Sequence, residues 1–166
     1  MRDTSEMMAQ TARAPILAPA IELGDFQLTV HRRQFPDAQD RWDGNWLHVT
    51  AQCLQGGALV VASGPILEAP DIQRLRDGLA ELVRTQAGAA ELRGSEPNLL
   101  VRVTAADGFG DLRVRVELTP DPHGQGHWFA YALDRSYLVE GIQQLDAVLA
   151  IFPVRGLDFV PRLDEP

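Results

Sequence analysis

"WLHVTAQCLQGGALVVASGPIL", residues 46–67, decides the fold. Leu47, Val49, Ala51 and Cys53 fall on one side of the first half, and Trp46, His48, Thr50 and Gln52 on the other. A period of two marks a strand with one buried face. Gln55 to Gly57 then supply a turn signal, and a second apolar run follows at once. The two runs are therefore expected to pair as an antiparallel hairpin. Parallel pairing would need a crossover of a dozen or more residues, and none is present here.

Upstream, "IELGDFQLTVHRRQF" alternates around Phe26, Leu28 and Val30 and is expected to be one half-buried strand. Downstream, "EAPDIQRLRDGLAELVRTQAG" changes to helical spacing, with Ile72, Leu75, Leu79, Leu82 and Val83 on one stripe. Pro70 suits a first turn, Asp71 complements the helix dipole, and Gly88 is placed to stop the helix. "NLLVRVTAA", "DLRVRVELT" and "GHWFAYAL" are three further strands, with a weaker signal at "AELRG". "DRSYLVEGIQQLDAVLAIFP" is a second helix, capped by Asp134 and ended by Pro153, with Leu138, Ile142, Leu145, Leu149 and Phe152 inward. Strands in runs, each run followed by a helix, predict an α+β fold. The expectation is a single antiparallel sheet of about six strands with two helices packed on one face. Residues 1–20 are expected to form a disordered N-terminal tail rather than a signal peptide, and residues 21–166 one domain.

The chain has 166 residues, 45% of them hydrophobic, enough for a sizeable core. All 15 basic residues are arginine, and the net charge is −8. Such acidity argues against nucleic acid as partner and favours a basic one. The lone Cys53 permits neither an intrachain disulfide nor a cysteine-based zinc site. It is expected to be a buried thiol in a reducing cytoplasm. No apolar run is long enough to cross a membrane as a helix.

Candidate chemistry is sparse. Asp37, Asp40 and Asp43, three apart beside Gly44 and Asn45, lack the register of a calcium loop and suit turn chemistry. His123 and His127 lie among Pro122, Gly124 and Gly126, where the helix that would align two metal ligands is not expected. No metal site, cofactor site or catalytic residue is predicted. Arg102, Arg113 and Arg115 should share the outward face of paired strands, either as cross-strand ion pairs or as a contact patch for an acidic group. Trp42 and Trp46 bracket Asp43, Gly44 and Asn45. They spend two of the chain's three tryptophans on one turn. Trp42, Asp43, Asn45 and Trp46 are expected to form a structural corner, with Trp46 in or beside the core.

The segments "FPDAQDRWDGNWLHV", "EPNL" (Glu96 to Leu99), "DRSYL" and "FPVR" (Phe152 to Arg155) together resemble the WapI-family bacterial immunity proteins. The resemblance runs from Phe26 to Arg155, and "WDGNWL" after an "FP" is its most specific part. It implies a cytoplasmic, non-enzymatic protein that neutralises a cognate toxin by binding it, with no catalytic motif to carry over. Asp37, Asp40, Asp43, Arg102, Arg113 and Arg115 are then the candidate partner-binding residues, and a basic nuclease a candidate toxin. Neither nucleic acid nor membrane is an expected partner. The competing expectation is an orphan small-molecule-binding or enzymatic domain that uses the open sheet face and His127.

Overall fold

The computed structural model describes residues 20–106 and 111–156. The predicted tail at 1–20 lies outside these residues except for Ala20. Eight strands and two helices follow in order: β1 (Ala20–Leu23), β2 (Phe26–Arg33), β3 (Trp46–Gln55), β4 (Ala58–Glu68), α1 (Ala69–Thr85), β5 (Ala89–Arg93), β6 (Leu99–Ala105), β7 (Leu112–Leu118), β8 (Trp128–Leu133) and α2 (Ser136–Ile151).

The architecture is α+β and antiparallel, as expected, but the single six-stranded sheet is not what forms. There are two four-stranded sheets, β1-β2-β3-β4 and β5-β6-β7-β8, each a run of neighbouring strands. The buried faces of both belong to one hydrophobic core. It contains Phe26, Leu28, Val30, Leu47, Val49 and Leu67 from the first sheet, and Leu92, Val101, Val103, Val114 and Val116 from the second. An apolar face can be covered by a sheet as well as by helices, and here β3 and β4 approach β7 directly.

One extra strand comes from Gly24 and Asp25, which turn the chain where a single strand was expected. Leu23 and Phe26 are cross-strand partners, so the loop has two residues. Gly24 takes φ +65°, the left-handed value that a tight hairpin favours at this position. Across the turn lies the second sheet. A Cβ on Gly24 would stand 2.9 Å from the Tyr131 ring, and the Tyr131 hydroxyl donates to the Leu23 carbonyl at 2.5 Å. The weak "AELRG" signal is β5.

Both helices form where the periodicity places them. Asp71 caps α1 by accepting from the Glu68 N–H at 2.8 Å. Gln86, in the left-handed conformation, ends the helix two residues before Gly88. Ile72, Leu75, Leu79 and Leu82 are buried, whereas Val83 is exposed. Asp134 accepts from the Ser136 N–H at 2.8 Å at the start of α2. Leu138, Leu145 and Val148 are buried there. The helices do not share one sheet face. α1 lies against β5 and α2, while α2 lies against β1. Gly78 lets α1 reach β5: a Cβ there would sit 2.8 Å from the Ala90 Cβ. Gln144 of α2 accepts from the Glu22 N–H on the outer strand β1 at 2.7 Å, occupying an edge group that would otherwise face solvent.

Candidate functional site

The tryptophan segment forms the loop between β2 and β3, and it is tied down from three directions. Asp40 Oδ1 accepts from the backbone N–H groups of Trp42 and Asp43 at 2.7 and 2.8 Å. These bonds stabilise the carboxylate and hold its pKa below the usual range. Gly44 must be glycine for space, since a Cβ would lie 2.4 Å from the Asp40 carbonyl oxygen. Asn45 is 1% exposed and donates to the carbonyls of Arg41 and Arg155 at 3.1 Å each. Its side-chain oxygen accepts from the Arg155 N–H at 2.8 Å. The Arg155 guanidinium donates to the carbonyls of Pro36 and Ala38 at 2.8 and 2.6 Å. From beneath, the buried Arg33 donates to the Gly44 carbonyl at 2.5 Å and to the Pro153 carbonyl. Burial and the nearby Arg155 charge lower the Arg33 pKa.

The buried residues of this loop are Asn45, Gly44 and, beneath it, Arg33. Trp46 is only partly buried, because Leu47 is the residue that points inward from β3. Trp42 is 71% exposed, with the Arg41 guanidinium stacked 4.7 Å from its ring centroid. Asp37 and Asp43 are exposed. A groove of about 630 Å³ separates the loop from the start of α1, lined by Trp42, Asp43, Trp46, Asp71, Arg74 and Arg155 among others.

The second candidate surface is the outward face of the β5-β6-β7-β8 sheet. Arg102 and Arg115 are direct cross-strand partners, and Arg113 stands opposite Thr104. The three are thus neighbours on one face, as the alternation predicts. Glu91 pairs with Arg93 at 2.8 Å and with Arg102 at 3.3 Å, and Glu117 pairs with Arg115 at 2.8 Å. Arg113 has no ion pair among the described residues. Trp128, on the same face, is 62% exposed, and the Arg115 guanidinium lies 4.9 Å from its ring centroid. Its exposure on this face went unremarked in the sequence, although its place in the alternation of "HWFAYAL" was readable.

The outward face of the first sheet is polar and bonded within itself along β2 and β3, while Leu54, Leu59 and Val61 stand exposed on it toward the β3-β4 turn. Gln27 donates to Glu22 at 3.0 Å and accepts from Gln52 at 2.6 Å. His31, Thr50 and Ser63 form a second row, at 2.8 and 2.9 Å. Cys53 is fully buried, and burial raises its thiol pKa to about 11, so it is held protonated. His123 and His127 sit in the β7-β8 connection, where the His127 ring contacts Gln125. Among the described residues, no three His, Cys, Asp or Glu side chains gather as metal ligands would. No described helix is long and apolar enough to cross a membrane.

The fold is thus an α+β pair of antiparallel sheets that carries a hydrogen-bonded loop and an exposed arginine–tryptophan face. A family model describing the immunity protein WapI-like family matches residues 20–153, and the chain belongs to that family. No curated protein sequence matches it. Among solved structures, the CdiA-CT/CdiI toxin and immunity complex from Enterobacter cloacae is similar with a TM-score of 0.38 and 10% identity, covering 61% of this chain and 89% of that one. WHY1 from Arabidopsis thaliana gives 0.46 and 12% over 80% of this chain and 82% of that one. WHY3 from the same plant gives 0.45 and 12% over 80% and 86%. Likenesses this distant carry no argument about activity or partner.

Proposed function

We propose that this chain neutralises a cognate bacterial toxin domain in the cytoplasm by direct, non-covalent binding, without turnover and without a cofactor. Its membership of the immunity protein family carries the reading. The surfaces support it: a loop held rigid by its own hydrogen bonds loses little freedom on docking. Asp37, Asp40 and Asp43 on that loop, and Arg102, Arg113 and Arg115 on the sheet face, are the candidate contacts. The net charge of −8 suits a basic toxin, such as a nuclease that must hold phosphates. Association with such a toxin would be fast at low salt and would slow as salt rises.

The test is co-expression with the C-terminal toxin domain encoded beside this chain's gene. Cells survive only with the immunity protein present, and the pair co-elutes on a sizing column. Equal killing with and without it, and no complex, would refute the proposal and leave an orphan binding or enzymatic domain.

A further inference from the structure

We propose that the outward face of the β5-β6-β7-β8 sheet is the docking face, with Trp128 at its anchor, and that it takes a carboxylate-bearing patch on a partner protein. The inference rests on the toxin-binding reading above and goes further by choosing one surface and the chemistry of what covers it.

Charge singles this face out. It carries Arg93, Arg102, Arg113 and Arg115 against Glu91 and Glu117, four arginines to two glutamates, in a chain of net charge −8. The face is thus opposite in sign to the molecule that bears it. Arg102 and Arg115 stand directly opposite each other across β6 and β7. Like charges in that relation oppose sheet pairing, and the flanking glutamates only partly offset them, since Glu91 is shared between Arg93 and Arg102. Stability alone would favour a balanced ladder.

Trp128 points the same way. Glu117 is its cross-strand partner, and its indole lies open to solvent at 62% exposure. Arg115 is stacked on the ring and paired with Glu117, so tryptophan and guanidinium are already fixed relative to each other. A tryptophan flanked by arginines is the composition of an interface centre. Beside it the face is low: Ala130 and Ala132 continue the row along β8, so a flat partner surface can approach without steric hindrance. No helix covers this side, since α1 reaches the sheet along β5 and α2 packs on β1.

The two electrostatic roles are separate. Net charge governs long-range attraction, while local patches set register. A toxin that is basic overall can still present the acidic patch that these arginines fit.

Calorimetric titration with the purified neighbouring toxin domain tests the proposal. Wild-type protein, Trp128→Ala and the double variant Arg102→Glu/Arg113→Glu are compared with Thr29→Ala on the opposite sheet, after thermal melts establish that each is folded. Trp128→Ala and the double variant are expected to weaken binding roughly tenfold or more, the effect of removing an interface anchor, with Thr29→Ala unchanged. Wild-type binding with all variants equal to it overturns the choice of face but leaves the immunity reading intact. No binding by the wild type overturns both. A parallel titration with a twelve-nucleotide oligo-dT separates the remaining case. Oligonucleotide binding by the wild type that is lost in Trp128→Ala makes the face a nucleic-acid platform and overturns the proposal.

Discussion

Asn45 and Arg155, 110 residues apart, are joined by two reciprocal hydrogen bonds, the Asn45 side chain serving the Arg155 backbone as a neighbouring strand would. The pair joins the "WDGNWL" and "FPVR" segments, so these sequence features form one construction. Asn45→Ala would leave the Arg155 N–H and carbonyl and the Arg41 carbonyl without their partner. A loss of about 1–3 kcal/mol is expected in urea melts, from part-buried backbone groups left unpaired. Asn45→Asp keeps the acceptor but turns an oxygen toward two carbonyls. Its carboxyl should titrate above the unfolded value, so the variant loses stability as pH rises from 4 to 7. A flat profile in that window would contradict the assigned orientation.

Arg33 supports the same corner using backbone carbonyls alone. Arg33→Met conserves much of the volume but removes both donors. The expected cost is about 3 kcal/mol, read as a lower urea midpoint. Arg33→Lys should recover little, because one ammonium cannot reproduce the fork that spans Gly44 and Pro153.

Gly78 sets two effects against each other. Alanine in a helix interior is favoured over glycine by about 1 kcal/mol. The new Cβ would press on the Ala90 Cβ at 2.8 Å and its Cα at 3.1 Å, part of β5 and not free to move aside. Overpacking of this kind costs about 1–3 kcal/mol, so Gly78→Ala should lower the melting temperature. A rise would mean that α1 stands off the sheet further than described.

Leu47→Ala and Trp46→Ala separate core from groove. Leu47 is fully buried and should cost about 2–5 kcal/mol. Trp46 loses only partial burial, so its cost should fall well below the 3–5 kcal/mol of a buried aromatic. Equal losses in thermal melts would put Trp46 back in the core.

Cys53 should resist thiol reagents at pH 8 until the chain unfolds. Its thiol is held protonated to about pH 11 by burial and, to a lesser extent, by Asp25. The sign follows: the folded form binds this proton more tightly than the unfolded form. Its contribution is full below the unfolded pKa of about 8.5 and fades as pH rises toward 11. Rapid labelling of native protein at pH 8, at the rate of the denatured chain, would contradict the burial.

Much of this was readable in advance, for a physical reason. Alternation tells which side of β3, β6 or β7 is buried, and the spacing of Leu75, Leu79 and Leu82 tells the same of α1. Neither tells what lies across from the buried side, so one sheet under two helices and two sheets face to face read alike. The Gly24–Asp25 turn left a signal that was passed over: the buried positions change phase across it, from Ile21 and Leu23 to Phe26, Leu28 and Val30. At the candidate site, Asp40 was readable as turn chemistry because its partners are two and three residues away. Arg33 gave no signal, since its partners are backbone carbonyls, which carry no mark in the sequence, and one of them, Pro153, lies 120 residues away.

Each helix packs against the half of the chain to which it does not belong: α1 on β5, α2 on β1. During synthesis the first four strands therefore leave the ribosome without the element that closes their outer edge. Gln144 and Leu145 arrive more than a hundred residues after Ile21 and Leu23. The first half alone lacks the α2 surface that packs on β1, and a chain terminated before Ser136 would expose the apolar surface around β1 to chaperones and proteases. The fold that places α2 on β1 can form only after Ile151 has left the ribosome, so its supply follows chains that have grown past that residue.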